Sequence, residues 1–221
     1  MQPTPVTTDQ LYLGFDGAST DGGYSKAASE VVEGEVVLLG APALGDSALT
    51  FSAANQALIF TPSRNAMPNA DIDTGFVAEA EFTPTGSQRE LATLIGIGGN
   101  FFVRFSNGSL QYGYSGNAGG TWRDFVSGGG ALQVGVSHIV SVAYVPDGSG
   151  GAVVTVWLDG VEQAKVAGDL LSRQDRPGSV VFGNEANAGA QNRAFNGSID
   201  RVRFAGCLTV GSSMGHSPSR P

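Results

Sequence analysis

The sequence predicts an all-β protein whose short antiparallel strands form either a two-sheet sandwich or a closed barrel. Apolar and polar residues alternate with period two along most of the chain, as they do in strands with one buried face. Asn-Gly and Asp-Gly pairs stand between these runs, and such pairs favour tight hairpins. About a dozen strands with turns at intervals of roughly 8–12 residues fit both architectures.

The first half of the chain contributes six of the predicted strands. They occupy residues 11–15, the two parts of 30–39 on either side of Gly34, and residues 47–52, 57–61 and 75–84. The fourth and fifth are predicted to pair as a hairpin around residues 54–56. In the sixth strand, Phe76, Ala78, Ala80 and Phe82 occupy one face. Val77, Glu79 and Glu81 alternate with them on the other face.

The second half of the chain contributes the remaining strands and the strongest turns. The β-rich stretches are residues 90–98, 100–116, 137–148, 152–168, 178–184 and 195–206. Hairpin turns are predicted at Asn107-Gly108, Asp147-Gly148, Asp159-Gly160 and Asn196-Gly197. Residues 168–174 have a helix-like pattern, but this stretch is too short to organise the fold.

The domain organisation is simple, because no repeat, linker or change in composition divides the middle of the chain. One domain is predicted from residue 10 to residue 206. Residues 1–9 and 207–221 lose the alternating pattern and are predicted to be flexible tails. The first residues lack the basic and apolar regions of a signal peptide, and no apolar run is long enough to span a bilayer.

Charge and cysteine content narrow the range of partners. The chain has 20 acidic and 12 basic residues, a formal net charge of −8. This balance opposes binding to nucleic acid or to an anionic membrane surface, and it is compatible with divalent cations or neutral ligands. Cys207 is the single cysteine, so an intrachain disulfide is excluded.

Several separated stretches resemble the laminin-G-like branch of the concanavalin A-like jelly rolls. They are "ALTFSAANQALIFTPS", "DIDTGFVAEAEFTP", "SHIVSVAYVPDGSGGAVVTVWLDGVEQAKV" and "FNGSIDRVRF", and in this order they extend over most of the chain. The resemblance implies a two-sheet antiparallel β-sandwich with one concave sheet and with the first and last strands adjacent. Phe15 and Phe204 would then face the same core.

A candidate calcium site follows from that predicted pairing of the terminal strands. The pairing would bring Asp200 near Asp16, and two close carboxylates repel each other unless a proton or a cation lies between them. Calcium accepts such oxygens, and many laminin-G-like domains carry calcium at their rim. Asp16 and Asp200 are therefore the candidate metal ligands. The alternative is that Asp200 caps the Asn-Gly turn or pairs with Arg201 or Arg203.

Candidate catalytic residues are few, so the enzyme class stays uncertain and a non-catalytic role is favoured. Glu79 and Glu81 share a strand face, but the third acid of a jelly-roll glucanase site is missing. His138 precedes an apolar strand and is expected to pack there. No strand-to-helix serine elbow or zinc-ligand pattern occurs in the chain.

The segment 101–125 is the richest in residues suited to sugar recognition. Flat aromatic rings stack on sugar C–H faces, and planar polar groups bind hydroxyls. The alternative for these aromatic residues is that they fill the core or cap a sheet edge. With a polar residue from the loop 183–193, the candidate ligand-binding residues are Arg104, Tyr112, Tyr114, Trp122, Arg123 and Asn184.

The resemblance implies a non-catalytic binding module that recognises a glycan or a cell-surface ligand, stabilised by calcium. Modules of this kind often belong to larger exported proteins, so an extracellular location within a larger multidomain protein is expected. The composition, rich in Ala, Gly and Arg and poor in Lys, favours a bacterial source. Two alternatives stay open. One is a glycan-cleaving enzyme of the same fold, a glycosidase or a lyase, and the other is a structural or protein-adhesion domain.

Overall fold

The computed structural model of the chain describes residues 7–15, 30–32, 34–45, 47–62, 75–97, 101–106, 108–115, 122–126, 132–169, 179–185 and 193–207. Regular structure in these residues is entirely β-strand. No stretch among them forms a helix long and apolar enough to cross a bilayer. The strands are β1 (Thr7–Gly14), β2 (Glu30–Val32), β3 (Gly34–Leu39), β4 (Ala43–Leu44), β5 (Leu49–Phe51), β6 (Ala57–Pro62), β7 (Phe76–Pro84), β8 (Thr93–Ile97), β9 (Phe101–Ser106), β10 (Ser109–Ser115), β11 (Trp122–Val126), β12 (His138–Pro146), β13 (Gly151–Leu158), β14 (Val161–Asp169), β15 (Val180–Phe182) and β16 (Gly197–Cys207).

The strands form two antiparallel sheets, so the predicted β-sandwich is confirmed. The first sheet has the order β14-β13-β12-β7-β16-β1-β2, and the short strands β5 and β4 extend it beside β16. The second sheet has the order β11-β10-β9-β8-β15-β6-β3. The strands β1 and β16 extend slightly beyond the predicted domain, to Thr7 and Cys207.

Strand β7 shows how the sequence pattern produces this architecture. Its side chains alternate between buried and half-buried over the whole strand, because successive residues point to opposite faces of a sheet. Phe76, Ala78, Ala80 and Phe82 are at most 1% exposed, as the alternation predicts. Glu79 and Glu81 occupy the outer face.

The core lies between the sheets and consists largely of aromatic rings. Phe76 of the first sheet stacks on Tyr144, with ring centroids 5.2 Å apart, and meets Phe101 of the second sheet edge-on at 6.0 Å. Phe204 lies 5.6 Å from Phe76. Each of these arrangements is one that aromatic pairs favour. The contact of Phe76 with Phe101 joins the two sheets, and the other two contacts pack side chains of the first sheet together.

The first and last strands are neighbours, as predicted. β1 pairs antiparallel with β16 from Thr7–Cys207 to Gly14–Arg201. Beyond this register, the Phe15 amide donates to the Asp200 carbonyl over 3.2 Å. Phe15 and Phe204 are buried in the same core cluster, so that prediction is also confirmed.

Three of the predicted hairpins are confirmed and two are wrong. β9–β10, β12–β13 and β13–β14 pair across their predicted turns. β5 and β6, however, lie in different sheets, and the residues at Asn196-Gly197 lead from the second sheet into the first. Gln56 stabilises the connection that crosses from β5 in the first sheet to β6 in the second. Its Oε1 accepts from the Ser52 and Ala53 amides, and its Nε2 donates to the Gly40 and Ala41 carbonyls.

Candidate functional site

The best candidate surface for a ligand is the outer face of the second sheet, turned away from the first. The β9–β10 hairpin places Arg104 directly opposite Gln111. Their neighbours Phe105 and Leu110 are buried in the core, so Arg104 and Gln111 project from the opposite face. Both side chains are half-buried.

The guanidinium of Arg104 is held on two sides. Its Cζ lies 3.9 Å from the centroid of the Phe102 ring, which is a cation–π geometry. Its Nε donates to Gln111 Oε1 at 2.7 Å. Phe102 is 5% exposed and also belongs to the outer face. We call Phe102, Arg104 and Gln111 the Arg104 platform.

A carboxylate borders the Arg104 platform. Ser106 lies two residues after Arg104 on the same face of β9, and its hydroxyl donates to Glu90 Oε1 at 2.8 Å. Glu90 itself belongs to the connection between β7 and β8. The platform therefore presents a fixed cation, an amide and a neighbouring carboxylate within one stretch of surface.

Two of the predicted ligand-binding residues lie in the interior instead. Tyr112 has no exposed surface and belongs to the core cluster, and its burial raises the pKa of its phenol above 10.0. It fills the core, which is the alternative that the sequence left open. Its neighbour across the hairpin, Val103, points into the same core.

Asn184 is likewise fully buried, and its side chain is used inside the protein. Its Nδ2 donates to the carbonyls of Ala54 and Gln56 at 3.1 and 3.2 Å, while its Oδ1 accepts from the Glu185 amide. A buried amide with partners at both ends is stabilising and costly to disturb. Asn184 thus ties the end of β15 to the turn before β6 and lies away from any surface ligand.

For three other predicted residues, the structure describes only the position of the backbone. Tyr114 pairs with Arg123, and Trp122 pairs with Ser115, across the β10–β11 ladder at one edge of the second sheet. Their side chains lie outside the described part of the structure. The prediction that they contact a ligand stays a prediction.

The candidate calcium ligands are only partly described. Asp200 is half-buried and forms a β-bulge in β16, because the pairing with β7 shifts register between Ile199 and Arg201. The Ser198 hydroxyl lies 3.5 Å from Asp200 Oδ1. Asp16 lies outside the described residues. Among the residues that the structure describes, no group of three or more His, Cys, Asp or Glu side chains forms a metal site.

The residues considered for catalysis make local structural contacts. Glu81 pairs with Arg201 at 3.1 Å, and Glu79 accepts from the Ser141 hydroxyl at 2.8 Å. His138 Nδ1 lies 2.8 Å from Asp159 Oδ2. As predicted, the His138 ring packs at the start of its strand, 5.9 Å from the Phe82 ring.

A family model described as the concanavalin A-like lectin/glucanases superfamily matches residues 56–210, more than half of the chain. This is the family to which the sequence motifs pointed. No curated protein sequence matches the chain.

Solved structures with the same fold come from several proteins. The receptor-binding domain of a botulinum neurotoxin C/D mosaic serotype matches with a TM-score of 0.60 and 10% identity, over 91% of this chain and 48% of that one. The chain thus spans about half of that domain's length. The CBM40 of the Ruminococcus gnavus IT-sialidase, bound to α2,3-sialyllactose, matches with a TM-score of 0.54 and 17% identity, over 74% and 92%. Domain 4 of an extracellular GH43 arabinanase from Geobacillus stearothermophilus, in complex with arabinotriose, matches with a TM-score of 0.52 and 16% identity, over 92% and 95%.

Proposed function

The chain belongs to the concanavalin A-like lectin/glucanases superfamily, and from this premise we propose that it is a carbohydrate-binding module. The Arg104 platform is the proposed contact surface. Two of the structural neighbours have structures with a glycan bound, sialyllactose in one and arabinotriose in the other. These neighbours are also parts of larger proteins, which supports a role as one module of a longer chain.

The main observation in support of this proposal is that two contacts hold the guanidinium of Arg104 in one orientation. Sugar hydroxyls and carboxylates are bound well by planar groups with several donors in one plane, and the guanidinium has five N–H donors. Stacking on Phe102 and the bond to Gln111 hold the orientation of this group before a ligand arrives. A pre-organised side chain loses less conformational entropy on binding than a free one.

Replacing Arg104 by Ala is expected to weaken glycan binding roughly 10- to 100-fold, because a hydrogen bond from a charged donor contributes about 1.5–3 kcal/mol. A glycan array identifies the bound sugars, and titration calorimetry then measures the affinity of the best of them. Arg203→Ala is the matched control, since Arg203 is also half-buried but lies on the outer face of the first sheet. If wild type and Arg104→Ala bind the glycan with equal affinity, the Arg104 platform is not the contact surface. If the array shows no bound glycan, the proposal that the chain is a carbohydrate-binding module is wrong.

We also propose that calcium binds at Asp16 and Asp200. The bond from the Phe15 amide to the Asp200 carbonyl supports this site, because it places the residue before Asp16 beside Asp200. The bulge at Asp200 adds support, since bulges redirect side chains and recur next to functional sites. Carboxylate oxygens are the ligands that calcium prefers.

The calcium proposal predicts a melting temperature that rises with the logarithm of the calcium concentration after treatment with a chelator. At a calcium concentration 100 times the dissociation constant, the added stability is about 2.7 kcal/mol. Asp200→Asn should abolish this dependence, whereas Glu162→Gln, at an exposed position on β14, should retain it. An unchanged melting temperature of the wild type, or an equal shift in Asp200→Asn, would contradict the site.

We further propose that the module works outside the cell, within a secreted bacterial protein. The arabinanase that contains one of the structural neighbours is extracellular. A single cysteine and a net charge of −8 are compatible with this location.

A further inference from the structure

A groove of about 300 Å³ opens at the surface of the protein, with Phe105 of β9 in its lining. It lies where the connection between β7 and β8 faces the segment that leads into β12. One wall is apolar and the other is polar. The apolar wall includes Phe105, Leu132 and Val134, and the polar wall includes Ser87, Arg89 and Glu90. We call this feature the rim groove.

The polar wall of the rim groove is anchored to the start of β16. Gln88 and Asn196 exchange two hydrogen bonds: Gln88 Nε2 donates to the Asn196 carbonyl, and the Asn196 amide donates to Gln88 Oε1. The Asn196 side chain also donates to the Thr85 carbonyl at 2.9 Å. The wall is therefore held in place without a ligand.

The apolar wall is anchored in a similar way. The Leu132 amide donates to the Gly108 carbonyl, and the Gly135 amide donates to the Pro84 carbonyl at 2.8 Å. Val134, between these two bonds, is 60% exposed. A large apolar side chain that stays exposed on a tethered segment is available for contact with a ligand.

The two unlike walls suit a sugar ring. A sugar residue presents C–H groups on its faces and hydroxyls around its edge, so it can contact valine and leucine on one side and hydrogen-bond to serine, arginine and glutamate on the other. The groove volume lies at the lower end of the range for small-molecule sites, roughly 300–1,000 Å³. It therefore has room for a single small unit rather than a long chain segment.

Glu90 connects the rim groove to the strand that carries the Arg104 platform. Glu90, which lines the groove, accepts from Ser106, which shares the outer face of β9 with Arg104. Arg104 and Ser106 are two residues apart, about 7 Å along a strand. A ligand bound to the platform can thus reach the groove with its next unit.

We infer that the rim groove binds a second sugar unit of the glycan held by the Arg104 platform, so that the ligand is an oligosaccharide and not a monosaccharide. This inference rests on the proposed function. The platform fixes one unit through Arg104 and Gln111. The groove receives the adjoining unit between Val134 and Ser87.

To test this inference, a tryptophan side chain is introduced to fill the groove, and the affinity for glycans is measured as a function of their length. Ser87 is exposed, so Ser87→Trp should fold, and its indole should occupy the groove; Ser47→Trp, at an exposed serine that does not line the groove, is the matched control. The probes are arabinose to arabinotetraose, and galactose, lactose and α2,3-sialyllactose, titrated by calorimetry. In the wild type and in Ser47→Trp we expect affinity to rise at least about tenfold from one unit to two. In Ser87→Trp, affinity should stay at the level of the monosaccharide.

Methyl NMR signals of Leu132 and Val134 provide a second readout. They should shift with disaccharides and longer probes but not with monosaccharides. If wild type and Ser87→Trp bind every probe equally, or if the methyl signals do not move, the groove inference is overturned while the proposed function stands. If Arg104→Ala retains binding and Ser87→Trp loses it, the ligand does not contact the Arg104 platform. The inference that the groove binds the adjoining unit is then wrong as well. If the wild type binds no probe, the inference is overturned, and a silent glycan array would then remove the function as well.

Discussion

Replacing Phe82 by Ala is expected to lower the free energy of unfolding by about 3–5 kcal/mol, the usual cost of removing a buried phenylalanine ring. Phe82 has no exposed surface. Its ring meets Phe105 edge-on at 6.0 Å and Phe195 edge-on at 5.9 Å, and those two rings stack on each other at 5.8 Å. Since Phe82 belongs to the first sheet and Phe105 to the second, its loss leaves a cavity at the junction of the sheets.

Urea denaturation followed by tryptophan fluorescence measures this loss, with the slope of the transition checked for two-state behaviour. Phe82→Leu is the matched control: it retains part of the apolar volume and should cost clearly less than the alanine variant. A loss below about 1 kcal/mol for Phe82→Ala would mean that the site collapses around the cavity. It would also show that the three-ring cluster does not join the sheets.

Replacing Gly197 by Ala is expected to cost roughly 2–6 kcal/mol, combining backbone strain with overpacking of the interior. Gly197 has a φ of 155°, and a Cβ at this position would lie 2.3 Å from the Thr83 carbonyl oxygen and 2.6 Å from the Phe195 ring. The first obstacle is backbone of the neighbouring strand β7. A methyl group therefore requires β16 to move away from its partner.

Gly160→Ala is the control for this variant. Gly160 also has a positive φ, of 77°, but a Cβ there would meet nothing within 4 Å. Its substitution should cost only the backbone strain, about 1–2 kcal/mol. Thermal melts by circular dichroism compare the two variants. Equal losses of stability in both would contradict the close approach of β16 and Thr83.

Much of the fold could be predicted from the sequence, because local alternation and turn chemistry determine strands and hairpins. The alternation in β7 and the turns at Gly108, Gly148 and Gly160 all correspond to observed structure. The crossing from β5 to β6 could not be predicted in the same way. Strand patterns do not specify which strands pair, and the bonds of Gln56 that support the crossing join residues distant in sequence.

The candidate site could be predicted only in part. Arg104 was predicted as a planar polar group that can bind sugar hydroxyls, and its pairing with Gln111 could also be deduced from the sequence. A two-residue turn at 107–108 pairs residue 104 with residue 111. Period-two alternation places Tyr112 on the face opposite to both, but aromatic composition drew attention to it as a surface group. The burial of Asn184 depends on carbonyls from the β5–β6 connection, which no local pattern reveals.

The position of β16 between β7 and β1 has a consequence for synthesis on the ribosome. Among the described strands, β16 is the last in chain order and occupies the interior of the first sheet, so β7, β1 and β5 lack their common neighbour until residues 197–207 have left the exit tunnel. Such long-range pairing folds slowly, and a nascent chain with unpaired strand borders is prone to aggregate. Chaperone assistance during translation should therefore increase the yield of folded protein more than it would for a chain with mainly local pairing.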